Sequence, residues 1–127
     1  MPAFSGVVPI PVTPFTSTGE VDWDSFRRVI HYCVEVGVDA ICHPANASEV
    51  ATLQEDERLH LMKVLLETVA GRVPVIIGVS HRDVTVATRL ARQAVESGAD
   101  GILFLPPNGT LQEIERFCGA LAEDVTV

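Results

Sequence analysis

Lysine is nearly missing from this chain: Lys63 is the only one in 127 residues, and Tyr32 is the only tyrosine. Nine Lys plus Arg stand against 17 Asp plus Glu, a formal charge of −8. A nucleic-acid-binding face needs clustered cations to neutralise phosphates, so that class of partner is excluded. No apolar run approaches the roughly 20 residues of a membrane-spanning helix. Met1-Pro2-Ala3-Phe4-Ser5 lacks the basic and apolar regions of a secretory signal. The expectation is a cytoplasmic protein with no membrane partner. The three cysteines, Cys33, Cys42 and Cys118, are odd in number, sit in apolar stretches and have no C-x-x-C spacing, which predicts buried thiols rather than a disulfide framework. Neither a G-x-G-x-x-G nor a P-loop pattern is present, so a nucleotide cofactor has no support. His31, His43, His60 and His81 have no second ligand at metal-site spacing. Neither cofactor nor metal is expected.

What is present is an internal echo. Val34-Glu35-Val36-Gly37-Val38-Asp39-Ala40-Ile41 recurs 61 positions later as Val95-Glu96-Ser97-Gly98-Ala99-Asp100-Gly101-Ile102. Each copy joins an amphipathic helical pattern to an apolar strand pattern. Further on, Thr52-Leu53-Gln54-Glu55 and Thr110-Leu111-Gln112-Glu113 each follow the repeated strand and open a new helix. Strands alternating with helices imply a parallel sheet wound with helices, and the periodicity brings a barrel or solenoid into view. Function in such a sheet sits at the C-terminal ends of the strands.

The spacing predicts a first strand over 6–12, then a loop rich in turn residues and a helix over 24–36, its stripe Phe26, Val29, Ile30, Cys33 and Val34. A second strand covers 40–43. Helix two begins near Thr52, where Thr52 and Glu55 form a candidate capping box, and buries Leu59, Met62, Leu66 and Val69. Strand three is 75–79, a continuous apolar run of the kind covered on both faces. Asp83 caps helix three, with the stripe Val86, Leu90, Ala94 and Val95. Strand four is 101–105, and helix four carries Leu111, Ile114, Phe117 or Cys118, and Leu121. Val125-Thr126-Val127 reads as the opening of a fifth strand. Four βα units are about half of the roughly 250 residues of a (β/α)8 barrel. A free half-barrel would expose two strand edges, with Pro9 and Pro11 protecting the first.

Taken in order, Gly6-Val7-Val8-Pro9-Ile10-Pro11-Val12-Thr13-Pro14-Phe15, Gly19-Glu20-Val21-Asp22, Gly37-Val38-Asp39, Ala47-Ser48-Glu49 with Thr52-Leu53, the run from Gly71 to Gly78, and Gly98-Ala99-Asp100-Gly101 resemble the dihydrodipicolinate synthase and N-acetylneuraminate lyase family. The resemblance implies an α/β fold, a (β/α)8 TIM barrel of which this chain supplies about the first four βα units. Residues 1–127 would be its N-terminal half, ending at the start of strand five. It implies a Schiff-base lyase or aldolase acting on pyruvate or a related 2-keto acid. There a strand-six lysine condenses with the keto group and the iminium acts as an electron sink. It also implies a homo-oligomer, dimer or tetramer.

Three departures qualify that expectation. Lys63 falls on helix two and reads as a solvated helix lysine, so no catalytic residue is expected in this chain and the Schiff-base lysine would lie outside it. The family's Gly-Thr-Thr-Gly-Glu aligns with Ala45-Asn46-Ala47-Ser48-Glu49, where Asn46 can still donate a hydrogen bond and Ala47 cannot through its side chain. The family's paired tyrosines align with Pro107-Asn108, which argues against a dihydrodipicolinate synthase proper. The expected substrate-binding rim is Thr13, Asn46, Ala47, Ser48, Glu49 and Asn108, with backbone N–H groups near Asn46 and Ala47 placed to receive a carboxylate. These 127 residues would be catalytic only as part of a full-length lyase. Two other readings are a non-catalytic half-barrel assembling with itself or a second chain, and a metal or acid–base enzyme using His43, His81 and Glu49.

Overall fold

A computed structural model of the protein describes residues 4–124. Three short parallel strands, β1 (Ile41–His43), β2 (Val75–Gly78) and β3 (Gly101–Leu103), pair in the order β1-β2-β3. Four helices alternate with them: α1 (Trp23–Glu35), α2 (Glu55–Val69), α3 (Val84–Glu96) and α4 (Leu111–Asp124). Two single-turn 3₁₀ segments, Asn46–Ser48 and Val50–Thr52, connect β1 to α2.

The segment 6–12 is not a ladder strand. Its backbone lies beside β1 and offers the backbone of that strand carbonyls only: Asp39 N–H donates to the Val7 carbonyl at 3.0 Å and Cys42 N–H to the Pro9 carbonyl at 3.1 Å, while Val7 N–H goes to the Asp39 side chain. Proline has no N–H to return, so Pro9 and Pro11 withhold the donors a regular parallel pairing requires. The predicted fifth strand at 125–127 lies outside the described residues.

The sheet sorts its side chains by register. Ile41, Val75 and Ile77 join one buried cluster with Phe26, Ile30, Leu61, Leu65, Leu90 and Leu121 under the helices. Cys42, Ile76 and Leu103, offset by one residue, face the other way, and Leu103 is 43% exposed. On α2 the deepest residues are Leu61, Met62, Val64, Leu65 and Val69, while the expected Leu59 and Leu66 are only partly buried. That helix touches α1, α3 and β2, so its apolar arc is wider than a single stripe. Likewise α3 buries Ala87, Leu90, Ala91 and Ala94, with Val86 and Val95 at the margin, and Leu111 at the start of α4 is exposed. Cys33 and Cys42 are buried free thiols, whereas Cys118 is only half-buried. Burial pushes the Cys33 and Cys42 thiols above their usual range.

The echo has one structural meaning in both copies. Helix α1 closes with Gly37 N–H donating to Val34 and Val38 N–H to Cys33, and α3 closes with Gly98 N–H donating to Val95 and Ala99 N–H to Ala94. Both glycines take positive φ, 80° and 91°, which a side chain disfavours. The following aspartate then grips the neighbouring segment twice. Asp39 receives Val7 N–H on its carboxylate at 2.6 Å and returns its own N–H to the Val7 carbonyl. Asp100 does the same to Val75, at 2.9 Å in each direction.

Helix starts follow local chemistry. Asp22 receives Ser25 N–H and Oγ–H, which holds its carboxyl below the usual range, and Asp83 receives Thr85 N–H. Thr110 and Glu113 form a reciprocal box at α4. The predicted partner box at Thr52 does not form. Thr52 Oγ1 donates instead to the Glu49 carbonyl, and Gln54 is the N-cap, its N–H donating to Glu57 at 2.8 Å.

Candidate functional site

The loop after β1 is anchored from beneath by a buried hydroxyl network. Thr13 Oγ1 donates to the Ser48 carbonyl at 2.7 Å, which commits its only hydrogen. The 2.9 Å contact between Thr13 Oγ1 and His43 Nε2 therefore requires His43 to carry its proton on Nε2 and donate. That tautomer leaves Nδ1 as a buried acceptor without a partner. His43 is fully buried against Phe26, with ring centroids 4.9 Å apart, and burial lowers its pKa to about 4. Ser48 Oγ donates to the Pro11 carbonyl at 2.6 Å and receives Ala45 N–H at 3.3 Å. The network thus welds segment 9–13, the end of β1 and the following loop into one unit.

Above this base the chain turns sharply. Glu49 takes φ +59°, a left-handed conformation uncommon for a side-chain-bearing residue, and joins the two 3₁₀ turns. Gly78 lets the ends of β1 and β2 approach closely, since a Cβ there would overlap the Pro44 carbonyl oxygen.

A cleft of about 470 Å³ opens at the C-terminal ends of the three strands. Asn46 from the β1 loop, Ser80, His81 and Arg82 after β2, and Pro106, Pro107 and Asn108 after β3 all line it. Arg58, in the first turns of α2, forms part of its wall although it is only 5% exposed. Its two terminal nitrogens donate to the Ser80 and Gly78 carbonyls, each at 2.9 Å, while Nε has no partner. Burial lowers the Arg58 pKa. Glu55, one turn earlier, gives both oxygens to Arg89 at 2.7 and 2.9 Å, tying α2 to α3. That pairing holds Glu55 below the usual carboxylate range and raises Arg89.

Of the six residues expected at the rim, Asn46 and Asn108 share this cleft. Ala47 and Glu49 are exposed on the β1 loop, whereas Thr13 and Ser48 are buried, with their hydroxyl hydrogens committed to carbonyls. Lys63 lies on the exposed surface of α2, 3.9 Å from Glu67. Tyr32 is 65% exposed on α1. His81 reaches the cleft, while His31 and His60 lie on exposed helix surface, His60 stacked on Trp23 at 4.0 Å. The sequence reading missed Arg58 and Arg82. For Arg58 a signal existed: residues 58, 61, 62, 65 and 69 form one helical stripe, and an arginine within it must find partners in the interior.

Parallel strands alternating with helices and a cleft at the strand C-termini define an α/β architecture of βα units, with three strands and four helices among the described residues. The family model of the dihydrodipicolinate synthetase family matches residues 3–119, and the chain belongs to that family. It is 37% identical over 127 residues to a 4-hydroxy-tetrahydrodipicolinate synthase of Pelobacter propionicus, an alignment covering 98% of this chain and 43% of that one. It is 38% identical over 106 residues to an L-2-keto-3-deoxyarabonate dehydratase of Azospirillum brasilense, covering 84% and 34% respectively. Among solved structures, a prophage protein of the dihydrodipicolinic acid synthase family from E. coli K12, in complex with pyruvate, superposes with a TM-score of 0.92 at 28% identity, covering 98% of this chain and 43% of that one. The chain thus spans less than half the length of these relatives. The fold is that of a (β/α)8 barrel, of which it supplies about the first four βα units, and the family is one of aldolases and lyases. Among the described residues no helix is long and apolar enough to cross a membrane.

Proposed function

We propose that residues 1–127 are the N-terminal half of a Schiff-base lyase that makes or breaks a carbon–carbon bond of a 2-keto acid of the pyruvate class. The condensing lysine lies outside this segment. Supporting that placement, Lys63 projects from an exposed helix surface beside Glu67 rather than from a strand end. The amine would attack the keto carbon and expel water, and the iminium would then accept the electron pair released from the cleaved or deprotonated carbon.

The observation that carries this reading is the placement of Asn46 and Asn108 in one cleft at the C-terminal ends of three parallel strands. Among the relatives is a structure solved with pyruvate. In this reading Asn46 and Asn108 contact the substrate, Ala47 and Glu49 shape the rim, and Thr13 and Ser48 hold the loop in place from below. The relatives include both synthases and a 2-keto-3-deoxy sugar acid dehydratase. With Pro107-Asn108 standing where the family has tyrosines, this protein acts on a keto acid other than the synthase's pair of substrates. It works in the cytoplasm as a homo-oligomer and needs neither metal nor organic cofactor.

A second reading, a non-catalytic half-barrel that assembles with itself or another chain, draws on the exposure of Leu103 and Leu105, 43% and 68%. Borohydride trapping with pyruvate separates the two, because only the first forms a reducible imine.

A further inference from the structure

We infer that Asn108 is a site of spontaneous covalent modification, where its side-chain amide is lost through a succinimide closed with Gly109 and a carboxylate enters the cleft. The chain has two asparagines, Asn46 and Asn108, and both line that cleft. Only Asn108 is followed by glycine. A residue without a Cβ leaves its backbone nitrogen open to approach and gives the backbone the freedom that ring closure needs.

The structure leaves this pair unrestrained. Asn108 and Gly109 are exposed, between the end of β3 and the start of α4. Among the described residues neither the Asn108 amide nor the Gly109 N–H has a hydrogen-bond partner. The box that starts α4 begins one residue later, where Thr110 N–H donates to Glu113. Two other positions show what restraint looks like. Asp100-Gly101 has the same spacing for ring closure, but the Asp100 carboxylate receives Val75 N–H and Gly101 is paired with Ile76 in the sheet. Asn46 sits in a 3₁₀ turn with its carbonyl receiving Glu49 N–H, and Ala47 after it carries a Cβ.

The reaction consumes water alone. The Gly109 nitrogen gives its proton to solvent base and attacks Asn108 Cγ, the Cγ–Nδ2 bond breaks, and ammonia leaves with a proton. Water then opens the five-membered imide at either carbonyl, leaving aspartate or isoaspartate at position 108. The described residues lining the cleft include no aspartate or glutamate, so the product is the first acid there. Any effect on turnover rests on the proposed contact of Asn108 with substrate. The conversion itself does not, so peptide mapping and borohydride trapping succeed or fail separately.

The test holds the folded protein, at its natural length, at neutral and at mildly alkaline pH, and then maps its tryptic peptides by mass spectrometry against a sample digested at time zero. The peptide from Gln93 to Arg116 should gain the mass of an amide-to-acid exchange at Asn108, faster at the higher pH, while Asn46 stays intact and Asp100 stays unisomerised. Gly109→Ala should slow the gain by about tenfold or more. Its methyl would meet only the Glu113 side chain, which can turn away. Should that variant fail to fold, the wild-type comparison of Asn108 with Asn46 decides the matter. No gain at Asn108 in the folded protein, an equal gain at Asn46, or a folded Gly109→Ala that converts as fast as the wild type would overturn the assignment.

Discussion

His43 sits at the base of the candidate site, neutral, with Nε2–H bound to Thr13 and Nδ1 buried without a partner. Its pKa of about 4 in the fold lies below the roughly 6.5 of an unfolded histidine. The unfolded chain therefore takes up a proton first as pH falls, so stability is fully present above about pH 6.5 and declines from there to about pH 4. The total loss is about 3 kcal/mol. Urea unfolding midpoints should fall across that window, and His43→Gln should remove most of the slope. A wild-type slope that His43→Gln leaves unchanged would refute this account of the residue. Gly78 gives a second single-residue test. An added methyl would meet the Pro44 carbonyl oxygen, so Gly78→Ala should cost about 3 kcal/mol. Gly119 lies within α4 with nothing near its Cα to meet a methyl, and Gly119→Ala should stabilise by about 0.5–1 kcal/mol. Both changes can be read from denaturant midpoints.

At the scale of elements, the Gly-x-Asp echo is a device for docking one βα unit on the next. Gly37 and Gly98 end their helices in the left-handed region, and Asp39 and Asp100 then clasp the backbone of the adjacent segment. Removing either clasp by Asp39→Ala or Asp100→Ala leaves a backbone N–H without its charged acceptor, a loss of about 1–2 kcal/mol in equilibrium unfolding. Equal stability of both variants with the wild type would show the clasps to be incidental. The helix–strand alternation was legible in the sequence because it rests on local signals: Asp22 and Asp83 as caps, glycine stops, and apolar runs such as Val75 to Ile77. The first strand was overread because hydrophobicity reports burial and not donors, and Pro9 and Pro11 have no N–H. The capping box at Thr52 misled because the two 3₁₀ turns set by Glu49, a tertiary feature, take Thr52 out of position. The cleft was half legible. Asn46 and Asn108 fall where strand ends predict, but the partners of Arg58 come from 20 and 22 residues away, which no local pattern encodes.

For the molecule as a whole, the sheet has one face packed under helices and one on which Leu103 is 43% exposed, and Leu105 after β3 and Ile10 and Val12 in the segment beside β1 are exposed as well. That is the architecture of a barrel wall whose inner face meets further strands. It agrees with a segment that spans 43% of a relative's length. The proposed function makes this wall part of an enzyme that holds a 2-keto acid as a lysine imine, with the lysine elsewhere in the protein. The measurement that tests it most directly is intact-mass and peptide-mass analysis of the protein expressed at its natural length, incubated with pyruvate and reduced with borohydride. One reduced pyruvate adduct per chain is expected, on a lysine outside residues 1–127. Absence of an adduct, or an adduct on Lys63, would contradict it.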